Sequence, residues 1–101
     1  MEPIIEILAK NIILDKRISK DVKEQFILTM NRISSLKTIA QQLYRQNSFH
    51  ALYNLFHEEI LFLIEQKKFF KDKLKGNTLI IFNDYLDLQI NLYNKHLLNY
   101  L

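Results

Sequence analysis

Cysteine is absent from this chain of 101 residues. The absence excludes a disulfide framework, a thiolate metal site and a thiol nucleophile, and it is compatible with a reducing cytosol. A chain of this length buries roughly two thirds of the surface that its unfolded form exposes, which allows a packed core without cross-links. We therefore expect a single domain over residues 1–101 that is stabilised by packing alone.

Glycine and proline are nearly absent, since the chain contains one of each. A β protein of this length needs such residues at many tight turns, whereas a few long helices need almost none. Pro3 lies where the first apolar-periodic segment begins. Gly76 follows a lysine-rich segment, where a left-handed residue commonly ends a helix. These positions predict an all-α fold.

Long apolar runs are also missing. The longest is Ile60–Ile64, far below the roughly 20 residues that a membrane-spanning helix needs. Glu2 and Glu6 stand where a secretory signal carries basic residues, so we expect a cytoplasmic protein without an export signal. The net charge of +3, from 14 basic and 11 acidic residues, is too small to make nucleic acid the default partner.

Apolar residues recur at helical spacing along four segments. They predict helices over about residues 3–14, from an N-cap at Ser19 or Asp21 to beyond Leu43, over residues 48–75, and from after Asn77 to the C-terminus. The predicted core positions are Ile4, Ile5, Leu8, Ala9 and Ile12; Val22, Phe26, Met30, Ile33, Leu36, Ala40 and Leu43; Leu52, Phe56, Ile60, Leu63, Phe70 and Leu74; and Leu79, Phe82, Leu86, Ile90, Tyr93 and Leu97. Short connections between long helices predict an antiparallel up-and-down four-helix bundle with one short and three long helices.

The middle of the third predicted helix, Ile60–Ile64, is apolar on every side of the helix. A helix that is apolar all round is contacted on more than one side. We therefore expect Ile60–Ile64 to pack against two other helices or against a second copy of the chain, which leaves a homodimer open.

The stretch from Tyr44 to Tyr53 contains Arg45 and His50, with four residues between them. This spacing resembles the Arg-x4–6-His motif of the HEPN family, and the resemblance implies a ribonuclease in which the pair acts on the scissile phosphate. Proton transfer by His50 and charge stabilisation by Arg45 fit that chemistry. The same stretch also fits a joint between helices, with Arg45 in a last turn and Ser48 as N-cap. We favour the joint, because three arginines and three histidines make a chance pair at this spacing common.

The histidines and acidic residues of the third helix do not predict a metal site. His50 and His57 are seven residues apart, which places them about 10 Å apart along a helix axis. Glu58 and Glu59 are neighbours that point in different directions, so we expect a solvated acidic patch there. No cofactor is predicted, and the favoured interpretation is a protein that is not an enzyme.

A dense cluster of basic residues ends the third predicted helix, with five lysines against one aspartate. Phe69 and Phe70 stand between the lysines, and the candidate binding residues are Lys67, Lys68, Phe69, Lys71, Lys73 and Lys75. These lysines fit a helix C-terminus, where cations complement the dipole. They also fit a binding surface for the phosphates of nucleic acid or of an anionic lipid, with Phe69 as an apolar contact. Lysine without arginine favours nonspecific attraction over base recognition.

The whole format, a basic and cysteine-free chain of about 100 residues with this helix layout, resembles the cytosolic immunity proteins against pediocin-like bacteriocins. The resemblance implies a non-enzymatic protein that acts at the inner face of the membrane beside a membrane-embedded receptor complex. It also implies that partner choice lies in the C-terminal half, here Phe49–Leu101. The alternatives are a small nucleic-acid-binding or regulatory protein that uses the Lys67–Lys75 cluster, and the ribonuclease.

Overall fold

A computed structural model describes residues 3–99, and the side chains of residues 5–99. Four helices account for most of this range: α1 (Pro3–Leu14), α2 (Lys20–Arg45), α3 (Phe49–Lys71) and α4 (Gly76–Asn99). The residues described contain no strand. The predicted all-α bundle of one short and three long helices is confirmed. The prediction for the side chain of Ile4 lies outside the side chains described.

The three long helices pack side by side, and α1 packs against one of them. Helix α3 contacts both α2 and α4, while α1 contacts α4. The turn after α1 and the turn after α3 meet at one end of the molecule, because Asp15 and Lys75 line the same cleft there. The 12 residues of α1 span about 18 Å, whereas the bundle is 46 Å long. Helix α1 therefore covers only the end of the bundle near these two turns.

Hydrogen bonds cap both ends of α2, and the sequence predicts part of them. Ser19 is the N-cap, and its hydroxyl accepts a hydrogen bond from the Val22 N–H at 3.3 Å. At the other end Asn47 adopts a left-handed conformation with φ of 57°. The Ser48 N–H then donates to the Leu43 carbonyl at 2.9 Å, and the Asn47 N–H donates to Tyr44, as in a Schellman motif. Ser19, rather than Asp21, is thus the cap.

The joint between α3 and α4 differs from the predicted one. Helix α3 ends at Lys71 rather than at Lys75, because the Phe70 carbonyl accepts the N–H groups of both residues 73 and 74. Gly76 has the predicted left-handed conformation, with φ of 60°, but it opens α4 instead of closing α3. Leu74 lies outside any helix and is nevertheless buried. The α3–α4 turn is therefore held to the core by its own leucine.

The core follows the predicted apolar stripes closely. Phe82 of α4 joins the three long helices, since its ring lies 5.2 Å from that of Phe26 and 4.9 Å from that of Phe70. The buried apolar residues are Ile5, Leu8, Ile12, Val22, Phe26, Leu36, Leu52, Phe56, Ile60, Leu63, Phe70, Leu74, Phe82, Leu86 and Tyr93. The remaining predicted core positions with a described side chain are half-buried and pack against this cluster. A single core therefore runs through all four helices.

Within one chain the apolar stretch Ile60–Ile64 is covered in part. Helix α3 contacts both α2 and α4, Ile60 and Leu63 are buried, and Phe62 is half-buried. Leu61 is 51% exposed and Ile64 is 37% exposed. Their covering by a second copy stays a prediction.

Candidate functional site

The five lysines of the predicted cluster do not form one surface. Lys67 is half-buried and makes an ion pair with Asp87 of α4, and the Asn83 amide lies 3.5 Å from the same carboxylate. Lys67 therefore links α3 to α4. Lys68 pairs with Glu65 one turn earlier, at 3.6 Å. These two lysines already have acidic partners.

The other three lysines lie at the end of α3 and beyond it. Lys71 is the last residue of the helix and is exposed. The Lys73 Nζ atom lies 5.9 Å from the centre of the Phe69 ring, and Phe69 is 37% exposed. Lys73 and Lys75 both line a cleft of about 250 Å³ between the two turns. The structure therefore separates the cluster: Lys67 links two helices, Lys68 is paired locally, Lys71 is exposed at the helix end, and Lys73 and Lys75 line the cleft.

The α1–α2 turn supplies the other side of this cleft, through Asp15, Arg17 and Ile18. Arg17 donates to Asp15 from its backbone N–H at 2.9 Å, from Nε at 3.1 Å and from Nη2 at 3.0 Å. These hydrogen bonds hold the pKa of the Asp15 carboxyl below its usual 3.8. Sequence reasoning missed the convergence of the two turns, since only the bundle topology brings residues 15–18 to residues 73–78.

A larger groove lies in the half of the bundle that α1 does not reach. It runs between α2 and α4 with Phe56 of α3 at its base, and its volume is about 680 Å³. Its lining is mainly apolar and consists of Ile33, Ser34, Leu36, Lys37, Ala40, Gln41, Tyr44, Phe56, Tyr85, Gln89, Leu92, Tyr93 and His96. Lys37 and His96 are the basic members of this lining, and no carboxylate belongs to it.

Aromatic rings form the base of the groove. The Phe56 ring stacks on His96 at 4.8 Å with an interplanar angle of 10°, and it tilts against Tyr93 at 5.8 Å. Burial raises the pKa of the Tyr93 phenol, and the negative charge of Glu59 raises it further. A tyrosine with its ordinary pKa of 10 is already neutral at pH 7, and this shift keeps it so. The groove thus presents a neutral aromatic surface with a basic edge.

Two buried polar residues of α3 contact α2. The Gln25 amide donates to the Gln66 side-chain oxygen at 2.7 Å. The Thr29 hydroxyl lies 3.1 Å from the same oxygen and 2.8 Å from the Gln25 carbonyl, and its single proton serves one of them at a time. Arg32 Nε lies 2.8 Å and 3.1 Å from the two carboxylate oxygens of Glu59. The guanidinium also stacks on Phe62 at 3.9 Å.

The predicted acidic patch at Glu58 and Glu59 is therefore wrong for Glu59, which is 5% exposed, while Glu58 is exposed. A sequence signal for this burial exists. Leu52, Phe56, Glu59, Leu63, Gln66 and Phe70 are spaced alternately by four and three residues, and all six are buried. That is the spacing of core positions in packed parallel and antiparallel helices. Glu59 and Gln66 thus occupy regular core positions.

Arg45 and His50 lie on either side of the α2–α3 joint. Arg45 is the last residue of α2, and His50 is the second residue of α3. Both are exposed, and neither lines the groove or the cleft. Ser48 occupies the N-cap position, but its side chain makes no capping hydrogen bond. These positions agree with a joint, and a chemical role for the pair stays a prediction.

Comparison with known proteins gives no match: no family model, no curated protein and no solved structure matches this chain. Within residues 3–99 no three histidine or acidic side chains lie close enough together to hold one metal ion. None of the helices in this range combines the length and the apolar character needed to cross a bilayer.

Proposed function

We propose that this chain is a non-enzymatic binding protein that captures the apolar face of a helix from a partner protein in the groove between α2 and α4. The observation that carries the proposal is the groove itself. Its lining is mainly apolar along about three turns of α2, from Ile33 to Tyr44, and along the matching part of α4. An amphipathic helix in an apolar groove is a common mode of protein recognition.

The geometry of the bundle supports a helix as the occupant. A four-helix bundle surrounds its core with four helices of similar length. Here α2 has 26 residues and α4 has 24, but α1 has only 12. Half of the α2 and α4 surface therefore lacks the cover that a long fourth helix gives. A partner helix placed there completes the bundle.

The charge at the groove favours a partner helix with acidic residues beside its apolar face. Lys37 lies on the α2 side, and the lining contains no carboxylate to repel an acidic partner. Complementary charges of this kind steer association and select the orientation of the bound helix. Neutral or basic helices lack this attraction.

Immunity against a pediocin-like bacteriocin is the function proposed for this binding. The α3–α4 hairpin supplies the base and one side of the groove, through Phe56, Leu92, Tyr93 and His96. This placement supports partner choice by the C-terminal half. The proposed partner is a cytoplasmic segment of a membrane-embedded receptor complex, and the proposed location is the cytoplasm.

Expression of the chain in bacteriocin-sensitive cells tests this function. The wild-type chain is expected to raise the inhibitory concentration of at least one pediocin-like bacteriocin within a panel. Exchange of the Phe49–Leu101 hairpin with that of an immunity protein of different specificity is expected to change which bacteriocin is resisted. Circular dichroism and thermal unfolding check that the exchanged chain folds. Wild-type cells that stay sensitive to the whole panel would overturn the immunity proposal.

A further inference from the structure

We propose that the cleft between the two turns binds the phosphate of an anionic lipid headgroup and so holds this end of the bundle at a membrane surface. The cleft is lined by Asp15, Arg17, Ile18, Lys73, Leu74, Lys75 and Thr78. It shares no residue with the groove, so this proposal does not rest on the proposed helix binding.

The positive charge available to a ligand comes from Lys73 and Lys75. The one acidic residue of the cleft, Asp15, is bound by the Arg17 guanidinium through two side-chain hydrogen bonds. Neither Lys73 nor Lys75 makes an ion pair with any residue between positions 3 and 99. Lysine binds phosphate as a point charge, and two such charges at one cleft match an anionic headgroup.

Buried residues fix both sides of the cleft. Leu74, between the two lysines, is 2% exposed and belongs to the core. On the other turn Ile18 is half-buried against the same core, and Arg17 is held by its hydrogen bonds to Asp15. The backbone that carries the cations is therefore ordered before any ligand binds, which lowers the entropic cost of binding.

Exposed apolar side chains beside the cleft favour a lipid over nucleic acid. Leu14 directly precedes Asp15 and is 71% exposed, and Phe69 lies beneath the Lys73 ammonium and is 37% exposed. Apolar groups next to cations suit the boundary between headgroups and acyl chains. The cleft contains one arginine, Arg17, whose Nε and Nη2 groups already donate hydrogen bonds to the Asp15 carboxylate. A base-recognising arginine fork is thus not free here.

Flotation of the full chain with vesicles tests the proposal. Vesicles of mixed phosphatidylglycerol and phosphatidylcholine are expected to bind the chain, and vesicles of phosphatidylcholine alone are not. The double variant Lys73→Gln, Lys75→Gln is expected to partition about 30-fold more weakly, or about fivefold for each lysine. Added salt is expected to weaken wild-type binding as well.

A control with the same net charge separates the cleft from general attraction. Arg45→Gln, Lys95→Gln removes two exposed cations from the opposite half of the bundle, outside both the groove and the cleft, and is expected to bind the mixed vesicles like the wild type. Thermal unfolding checks that both double variants remain folded. Equal weakening by the two double variants, or equal binding to both kinds of vesicle, would overturn the proposal.

Two further probes distinguish other sources of phosphate. Inorganic phosphate is expected to shift the backbone amide signals of residues 73–78 weakly, because it shares the charge of a headgroup but lacks the apolar contacts. Saturable phosphate binding in a chain that does not float with mixed vesicles would assign the cleft to a free phosphate compound instead. A short single-stranded RNA that displaces the vesicles and requires Lys73 and Lys75 would assign it to nucleic acid. Either result overturns the lipid assignment.

Discussion

Glu59 and Gln66 are the polar residues of α3 that packing buries, and each contacts a partner on α2. A buried carboxylate or amide without a hydrogen bond loses its hydration without compensation. Arg32 compensates Glu59, and Gln25 compensates Gln66. No buried side-chain nitrogen or oxygen among the residues described lacks a hydrogen-bond partner. These two contacts also fix the register between the helices.

Removal of Arg32 is expected to destabilise the fold. Arg32→Ala leaves the Glu59 carboxylate buried without its charged donor, so we expect the free energy of unfolding to fall by about 1–3 kcal/mol. Glu58→Ala is the matched control, since Glu58 is the exposed neighbour of Glu59, and its effect is expected to stay within about 0.5 kcal/mol. Chemical denaturation measures both. Equal effects of the two substitutions would contradict the structural role of the pair.

The position of Glu59 shows how far single residues can be predicted from this sequence. The apolar spacing predicted Ile60 as a core position of the third helix, and Ile60 is buried. The alternating four-and-three spacing places Glu59 and Gln66 at core positions, yet their polarity argues against burial. Their partners lie 27 and 41 residues earlier in the chain. Burial of these residues therefore depends on long-range contacts that local periodicity does not contain.

At the scale of the helices, the joints determine where each element ends. The α2–α3 joint depends on the left-handed conformation of Asn47, which lets two N–H groups return to the last carbonyls of α2. The α3–α4 joint depends on the shared Phe70 carbonyl and on buried Leu74. The sequence predicted both joints within a few residues. It placed the end of α3 too late, because the lysines of the turn are themselves good helix formers.

Substitution of Asn47 tests the first of these joints. Asn47→Ala places an alanine at φ of 57°, where its Cβ lies too close to the following carbonyl oxygen and no side-chain amide can form a local hydrogen bond. We therefore expect the free energy of unfolding to fall by about 1–2 kcal/mol. Asn47→Gly is expected to match the stability of the wild type to within about a few tenths of a kcal/mol, because glycine adopts this conformation freely. Gln46→Ala, at the neighbouring exposed position, serves as the control. Thermal and chemical unfolding give the values, and an Asn47→Ala chain as stable as Asn47→Gly would contradict the proposed conformational requirement.

The whole molecule has two features that no single helix contains. The basic cleft arises because two turns far apart in sequence meet at one end, and the groove arises because α1 is too short to cover both halves of the bundle. Ile33 and Ala40 were predicted as core positions, and they are half-buried because the groove leaves them partly uncovered. The fold class could be predicted from the sequence. The two surfaces could not, since both depend on how the helices are arranged.

The groove and the cleft lie in opposite halves of a molecule that is 46 Å long. The proposed attachment of the basic end to a membrane places the groove in the half of the bundle that lies away from that membrane. Partner binding and membrane attachment then use separate residues. Substitutions in the groove are expected to remove partner binding alone, and substitutions in the cleft are expected to remove membrane attachment alone.

Substitution of Leu92 gives the most direct measurement of whether the groove binds the proposed partner. Leu92 lines the groove and is 40% exposed, whereas Leu88 lies one turn earlier on α4, outside the groove lining, and is 48% exposed. A glutamate at position 92 faces the proposed acidic partner helix and loses hydration when that helix binds. The inhibitory concentration of a pediocin-like bacteriocin is measured in sensitive cells that express wild-type chain, Leu92→Glu or Leu88→Glu, with folding and expression of each variant checked. We predict protection by the wild type and by Leu88→Glu, and none by Leu92→Glu. Equal protection by both variants would contradict binding through the groove.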